Sequence, residues 1–242
     1  MKHNPLDEHR IFEIWLDFAQ NRKDVDLSLL SPKIADSWRR SLQRELDPFL
    51  ADMSSVSDQE LNQRRRKVQE LISSCLPYMH KLFTLLKNDQ AVITLADEDA
   101  VVLEVLANPV TYPEVSYPEE GTIHSEELVG TNAIGLTLKA DAPVKVVGSE
   151  HWRKINHAWI CHAAPLHISN TLIGCINVAC PIQGYDETVS IQPMVLSTAN
   201  AIERELMLKR TINDQEKIIQ QQKTLLEFVD TGIIAIDRDG VI

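Results

Sequence analysis

The chain has 242 residues, 44% hydrophobic, 24% charged and 5% aromatic, with a formal net charge of −11. That balance suits a globular chain with one good-sized domain plus attachments and a mainly aliphatic core. Its acidity argues against direct nucleic-acid binding, which needs clustered Lys and Arg to displace counterions. No apolar run approaches the ~18 residues that span a bilayer, which argues against a membrane role. Four cysteines without a CxxC pair, and no signal-peptide pattern, fit a reduced, cytoplasmic setting.

Near the start, Ile11, Ile14, Trp15 and Phe18 share one face of an expected helix. Ser31 and Pro32 open a second, with Ser as N-cap and Pro in the first turn; Ile34, Trp38 and Leu42 form its stripe and Asp47-Pro48 ends it. Ser57 is expected to cap a long helix reaching Lys87, with Pro77 kinking or splitting it. The dense basic run Arg64-Arg65-Arg66-Lys67 lies inside that helix and reads as a solvated face. Residues 90–95 and 101–106 are strand-like around an acidic turn, and residues 108–121, with three prolines, read as loop.

Residues 121–181 organise the rest. Residues 126–140 suit a short, closely packed helix, with Gly130 and Gly135 allowing approach or a bend. The run PVKVVG suits a strand ended by Gly148. Ser149 then reads as the N-cap of a helix carrying His151, Trp152, Ile155 and Trp159. Residues 161–168 and 172–182 read as two strands joined around Ser169 and Asn170. From Asp186 a helix is expected to run beyond Glu227. Within it Leu208, Ile212, Gln215, Ile219, Gln222, Leu226 and Val229 follow heptad spacing, the mark of a paired connector helix.

EELVGTNAIGLTL, PVKVVGSEHW, CHAAPL and LIGCINVAC resemble the sensory GAF domain of sigma-54-dependent transcriptional activators, in the acetoin- and glycerol-metabolism subgroup. Upstream, SPKIADSWRRSLQRELDP resembles that group's N-terminal signature. Three departures fall in turns: Glu45, Ala100 and Asn170 stand where the family usually has Gly. The end, VDTGIIAIDRDGVI, resembles the opening of a PAS domain. A PAS fold needs about a hundred residues, so the chain reads as a fragment of a longer protein. The resemblance implies that an AAA+ ATPase and a DNA-binding helix-turn-helix lie elsewhere; no GxxxxGK[ST] phosphate loop occurs here.

The expected fold is α+β: a central, mainly antiparallel GAF sheet flanked by helices. It divides into an N-terminal helical region (1–56), the GAF domain (57–208), a coiled-coil linker (209–229) and the truncated start of a PAS domain (230–242). The function implied is regulatory rather than enzymatic, with no catalytic residue, metal or cofactor: a small metabolite binds the domain, a homodimer forms through the long helices, and absent domains act on DNA, ATP and RNA polymerase. By position in the motif, the ligand-binding candidates are Thr131, Asn132, Trp152, His157, Trp159, Cys161 and Ala163. The indoles would be aromatic walls, and Asn132 and His157 would offer hydrogen bonds. Alternatives are a dimerisation module with a degenerate pocket, an iron or redox sensor using Cys161 with His157, His162 and His167, or a methionine sulfoxide reductase using clustered cysteines.

Overall fold

The computed structural model describes residues 5–20, 25–86, 90–108, 118–183, 185, 188–227 and 238. The N-terminal region contains α1 (Pro5–Ala19) and α2 (Pro32–Gln43). Ser31 caps α2 by accepting from Ile34 N, ahead of Pro32. Ser57 caps α3 (Asp58–Lys67) by accepting from Glu60 N, and α4 (Gln69–Leu86) follows. The helical run therefore breaks at Val68 rather than at Pro77, which lies inside α4.

The strands are β1 (Val92–Asp97), β2 (Val102–Leu106), β3 (Val144–Val147), β4 (Trp159–Ile168) and β5 (Thr171–Pro181). They form one antiparallel sheet in the order β2-β1-β5-β4-β3. With helices on both faces, this is the expected α+β GAF arrangement. Ser169 and Asn170 close the β4–β5 hairpin with φ of 50° and 67°, the positive pair that a two-residue turn requires. All three family departures sit at positive φ: Glu45 at 56°, Ala100 at 64° and Asn170 at 67°.

Side chains alternate across the strands. Ile93 and Leu95 of β1, Ala164 and Leu166 of β4, and Ile176 and Val178 of β5 face one way. They bury against Leu71, Cys75, Met79 and Leu82 of α4 and against the long helix α7 (Ile191–Glu227), through Val195, Ala199, Ile202 and Leu206. The expected start of that helix at Asp186 is corrected to Ile191. Beyond Leu206 it leaves the core, and Leu208, Ile212 and Ile219 are exposed.

The opposite face is covered by α5 (Glu126–Val129), α6 (Ala133–Ala140) and two 3-10 turns, Gly148–Glu150 and Lys154–Asn156. Those turns replace the helix expected from Ser149, and Trp159 begins β4 instead. Outside this layer sit α1 and α2. Three fully buried indoles stitch them down: Trp15 Nε1 donates to Trp152 O (2.9 Å), Trp38 Nε1 to Glu150 O (2.8 Å), and Trp152 Nε1 to Leu46 O (3.0 Å). Gly130 makes this possible. Its φ is +77°, and a Cβ there would lie 2.5 Å from Trp152 Cδ1.

The basic run is not a freely solvated face. Arg64 pairs with Glu60, Asp97 and Asp99, and Arg65 bonds Leu103 O and Glu120. The two arginines tie α3 to the β1–β2 hairpin. The stretch read as the start of a PAS domain lies outside the described residues, Arg238 apart, as does most of the proline-rich loop.

Candidate functional site

A small cavity lies between the sheet and the α6 layer. Its floor comes from β4 and β5: Trp159, Cys161, Asn177 and Ala179. Its roof comes from His124, Asn132, Ala133 and Ile134, and its side from His151 and Asn156. The cavity volume is about 30 Å³. A water needs roughly 10–15 Å³ measured this way, so the cavity as it stands matches a very small occupant.

Asn132 is placed by helix geometry. As N-cap of α6 it accepts from Gly135 N (2.8 Å), and its amide donates to His124 O and Gly130 O, both at 2.9 Å. The side chain is thus fully committed and holds the roof together. Gly135 allows the tight fit, since a Cβ there would lie 2.6 Å from Glu126 N.

The polar groups of the wall are more informative. His151 donates Nδ1–H to Gly148 O (2.9 Å), and its Nε2 is buried with no partner among the described residues. Asn177 donates one amide hydrogen to Thr94 Oγ1 (3.2 Å), and its Oδ1 is buried with no partner among the described residues. Such groups cost about 1–3 kcal/mol each when left unmade. Burial pushes His124 and His151 down to about 4, so both rings are neutral near pH 7. Burial also pushes the Cys161 thiol up, and a protonated thiol is a poor nucleophile.

Of the residues expected to bind ligand, Asn132, Trp159 and Cys161 line this cavity; Thr131, Trp152, His157 and Ala163 do not. Thr131 donates to Ser37 Oγ on α2 (2.7 Å). Trp152 and Ala163 belong to the core beneath α1 and α2. His157 packs edge-on to Trp15, with ring centroids 4.4 Å apart, and bonds His151 O. All four serve the N-terminal clasp because α1 and α2 cover the outer side of this layer. Sequence reasoning missed His124, His151 and Asn177. Asn177 carried a signal: it is a lone amide in an otherwise apolar strand.

The three histidines at five-residue spacing are dispersed. His162 bonds Gln192 and Tyr185 on the α7 side, and His167 lies between Asp141 and Glu203. Among the described residues no group of three His, Cys, Asp or Glu side chains could hold a metal ion. Cys161 and Cys180 point to opposite faces of the sheet. No described helix is long and apolar enough to cross a membrane.

A second polar cluster fastens α2 to α5. The Glu126 carboxylate, 1% exposed, receives Arg40 (2.5 Å), Lys139 (2.5 Å) and Ser37 (2.5 Å). Burial raises the Glu126 pKa, but these hydrogen bonds outweigh it and hold the group below the usual carboxylate range.

Comparison with known proteins agrees with the fold and the motifs. The chain is 35% identical over 214 residues to the acetoin dehydrogenase operon transcriptional activator AcoR of Bacillus subtilis, covering 85% of this chain and 34% of the relative. It is 25% identical over 217 residues to the PTS-dependent dihydroxyacetone kinase operon regulatory protein of Escherichia coli, covering 87% of this chain and 33% of the relative. The chain thus spans about a third of the length of these curated relatives. The crystal structure of the E. coli DhaR(N)–DhaL complex superposes with a TM-score of 0.77 at 23% identity, over 87% of this chain and 72% of that one. The family model for the MimR N-terminal domain matches residues 4–203. The chain therefore belongs to the MimR N-terminal domain family, the regulatory region of transcriptional activators.

Proposed function

We propose that this domain is the sensory part of a sigma-54-dependent transcriptional regulator, and that a small metabolite entering the cavity of His124, Asn132, His151, Trp159, Cys161 and Asn177 is its signal. One observation supports the reading: two polar atoms of residues that line the cavity, His151 Nε2 and Asn177 Oδ1, are buried with no partner among the described residues. A fold that leaves both unpaired accepts a stability cost that an occupant would relieve. The names of relatives refer to acetoin, dihydroxyacetone and glycerol. These compounds of a few carbons are larger than the cavity as it stands, about 30 Å³, and would enter with a shift of its walls. The domain acts by binding rather than by catalysis, and ATPase and DNA-binding units elsewhere in the full protein carry out the response. The exposed Leu208, Ile212 and Ile219 of α7 form the seam of a homodimer, so the helix reports on the domain from both protomers.

A second reading is that the domain is read by a protein rather than a metabolite. The relative's structure is a complex with DhaL. Here a groove of about 430 Å³ between α4 and α7 is lined by Leu82, Leu85, Pro193, Met194 and Ala201. Thermal-shift screening against small metabolites separates the readings. A ligand at a hundred times its dissociation constant adds about 2.7 kcal/mol. A protein-reading domain gives no shift across the screen. Native mass measurement of protein taken from cells supplies an independent check for a retained occupant.

A further inference from the structure

One side chain at the end of β4 serves neither the cavity nor the tryptophan clasp. The β4–β5 ladder carries a bulge between Leu166 and His167, a device that re-aims a side chain. β3 pairs with β4 only as far as Ala163, and His167 lies beyond that paired edge. Glu203 of α7 reaches in there: its Oε1 accepts the His167 backbone N–H (2.7 Å) and lies 2.9 Å from ring Nδ1. The other ring nitrogen, Nε2, lies 2.6 Å from Asp141 Oδ1. Asp141 is the C-cap of α6, in the left-handed region at φ 46°. At its other end α6 roofs the cavity with Ala133 and Ile134. One imidazole therefore joins the roof helix, the sheet and the long helix α7.

The partners of that bridge fix its proton count. A carboxylate oxygen only accepts, and a neutral imidazole has a single N–H, so bonds to both carboxylates require the imidazolium. Partial burial lowers the His167 pKa, but the hydrogen bonds of Glu203 and Asp141 outweigh it and hold the ring above the usual histidine value. Those two carboxylates are the charged groups that act on the ring. Leu172, its partner on β5, carries no charge, and Glu205 farther along α7 is taken by Lys209. With a raised pKa, the bridge contributes fully below about pH 6.5 and is lost as pH rises through the raised value. The two ends then differ. Glu203 keeps the backbone N–H and can keep Nδ1–H. Nε2 is left with a lone pair against Asp141, whose side chain is 57% exposed and can turn to water.

We propose that His167 is a proton-operated strut: the imidazolium locks the end of α6 to α7, and loss of its proton releases Asp141 and uncouples the roof helix from the long helix. The cation also lies beside the C-cap of α6, the negative end of that helix, which favours the locked form. The strut needs no ligand, so it stands or falls apart from the sensing reading. In a domain whose α6 moves, pH then sets how firmly that movement is passed to α7.

The test is NMR of the 242-residue chain from about pH 5.5 to about pH 9, following histidine ring signals and amide exchange corrected for its intrinsic pH dependence. His124, His151, His157 and His162, pushed down to about 4, stay silent in this window. The His167 signal, identified by its absence in His167→Gln, titrates above about 6.5. Over the same range the amides of Asp141 and Ala142, which close the last turn of α6 on Thr137 O, lose about three- to fivefold in protection. The amide of Gly135, capped by Asn132 in the first turn, does not change. Asp141→Asn still suits a left-handed C-cap, and its amide can donate to a neutral ring. In that variant His167 titrates lower than in the wild type, and protection of the last turn no longer falls with rising pH. His167→Gln likewise abolishes the fall. A His167 pKa at or below about 6.5, a flat wild-type profile, or a fall that persists in Asp141→Asn overturns the proposal.

Discussion

Gly130→Ala tests whether the tryptophan clasp is built on the close approach described above. Gly130 has φ +77° and ψ −154°, a region essentially reserved for glycine. The added Cβ would lie 2.5 Å from Trp152 Cδ1 and 2.6 Å from its Cβ and Cγ. Trp152 cannot easily retreat. Its ring bonds Leu46 O, its carbonyl accepts from Trp15, and its N–H donates to Thr131 O. Backbone strain of about 1–3 kcal/mol adds to overpacking of about 1–3 kcal/mol, for a loss of about 4 kcal/mol. Gly121→Ala is the control. It also has a positive φ, +84°, but its Cβ would meet nothing closer than Leu61 at 3.6 Å. It therefore carries the strain without the clash and costs about 1–2 kcal/mol. Urea unfolding followed by tryptophan fluorescence measures both variants. Equal losses for the two, or a loss below about 1 kcal/mol for Gly130→Ala, would refute the packing argument.

Glu126→Gln removes the charge on which Arg40 and Lys139 converge. Because those partners are 31% and 40% exposed and can rehydrate, the loss by urea unfolding is about 2 kcal/mol rather than the 3–5 of a fully enclosed pair. Glu45→Gly relieves a left-handed residue (φ 56°) that is exposed and has little packing to lose, and raises stability by roughly 1 kcal/mol. The pH dependence is set by His124, His151, His157 and His162, each pushed down to about 4 by burial. Their unfolded forms bind protons below about 6.5 while the folded forms do not, so stability is complete above about pH 6.5 and falls as pH drops toward 4. Glu150, pushed up to about 7 by burial, contributes the opposite slope, losing stability as pH rises from about 4.5 to 7. Asp97 and Glu104, also raised by burial, and His167, raised by Glu203 and Asp141 against its burial, oppose the four histidines too; the four large histidine shifts outweigh them, so the melting temperature declines between about pH 6.5 and 4, and a flat profile refutes the burial of these rings. If α7 carries the proposed homodimer seam, the wild-type chain sediments as a dimer and Ile219→Asp, at an exposed position, as a monomer with little change in melting temperature; a monomeric wild type or an unchanged dimer refutes the seam.

The sheet and the long helices were legible because their signals are local. The short apolar runs of β1 and β5, Ser31-Pro32 and Ser57 as caps, and the 169–170 turn each follow from nearby residues alone. Residues 149–159 misled because His151, Trp152, Ile155 and Trp159 have helical spacing. Their burial, however, is set by two different neighbours. Trp152 turns outward to α1 and α2, while His151 and Trp159 turn inward to the cavity. Periodicity cannot separate one covered face from two. Pro77 likewise read as a break, yet α4 carries it, and the interruption comes at Val68, the C-cap of α3. The site was half legible for the same reason: a motif marks residues held in place, not which side of the layer each one serves.

That two-sided layer also bears on how the proposed signal would leave the cavity. Residues on its wall have sequence neighbours fastened to the flanking helices. Asn132 lines the cavity, while Thr131 bonds Ser37 of α2. His151 lines it, while Trp152 carries the carbonyl that holds Trp15 of α1. Cys161 lines it, while His162 on the other face of β4 bonds Gln192 of α7. A backbone shift that enlarges the cavity at any of these three points moves a helix contact one residue away. With a cavity of only about 30 Å³, an occupant larger than a water or two requires such a shift. In the proposed sensing role, the ligand's preference for the enlarged form is therefore also a preference for the displaced helices. That difference in affinity between the two forms sets the largest response the domain can transmit.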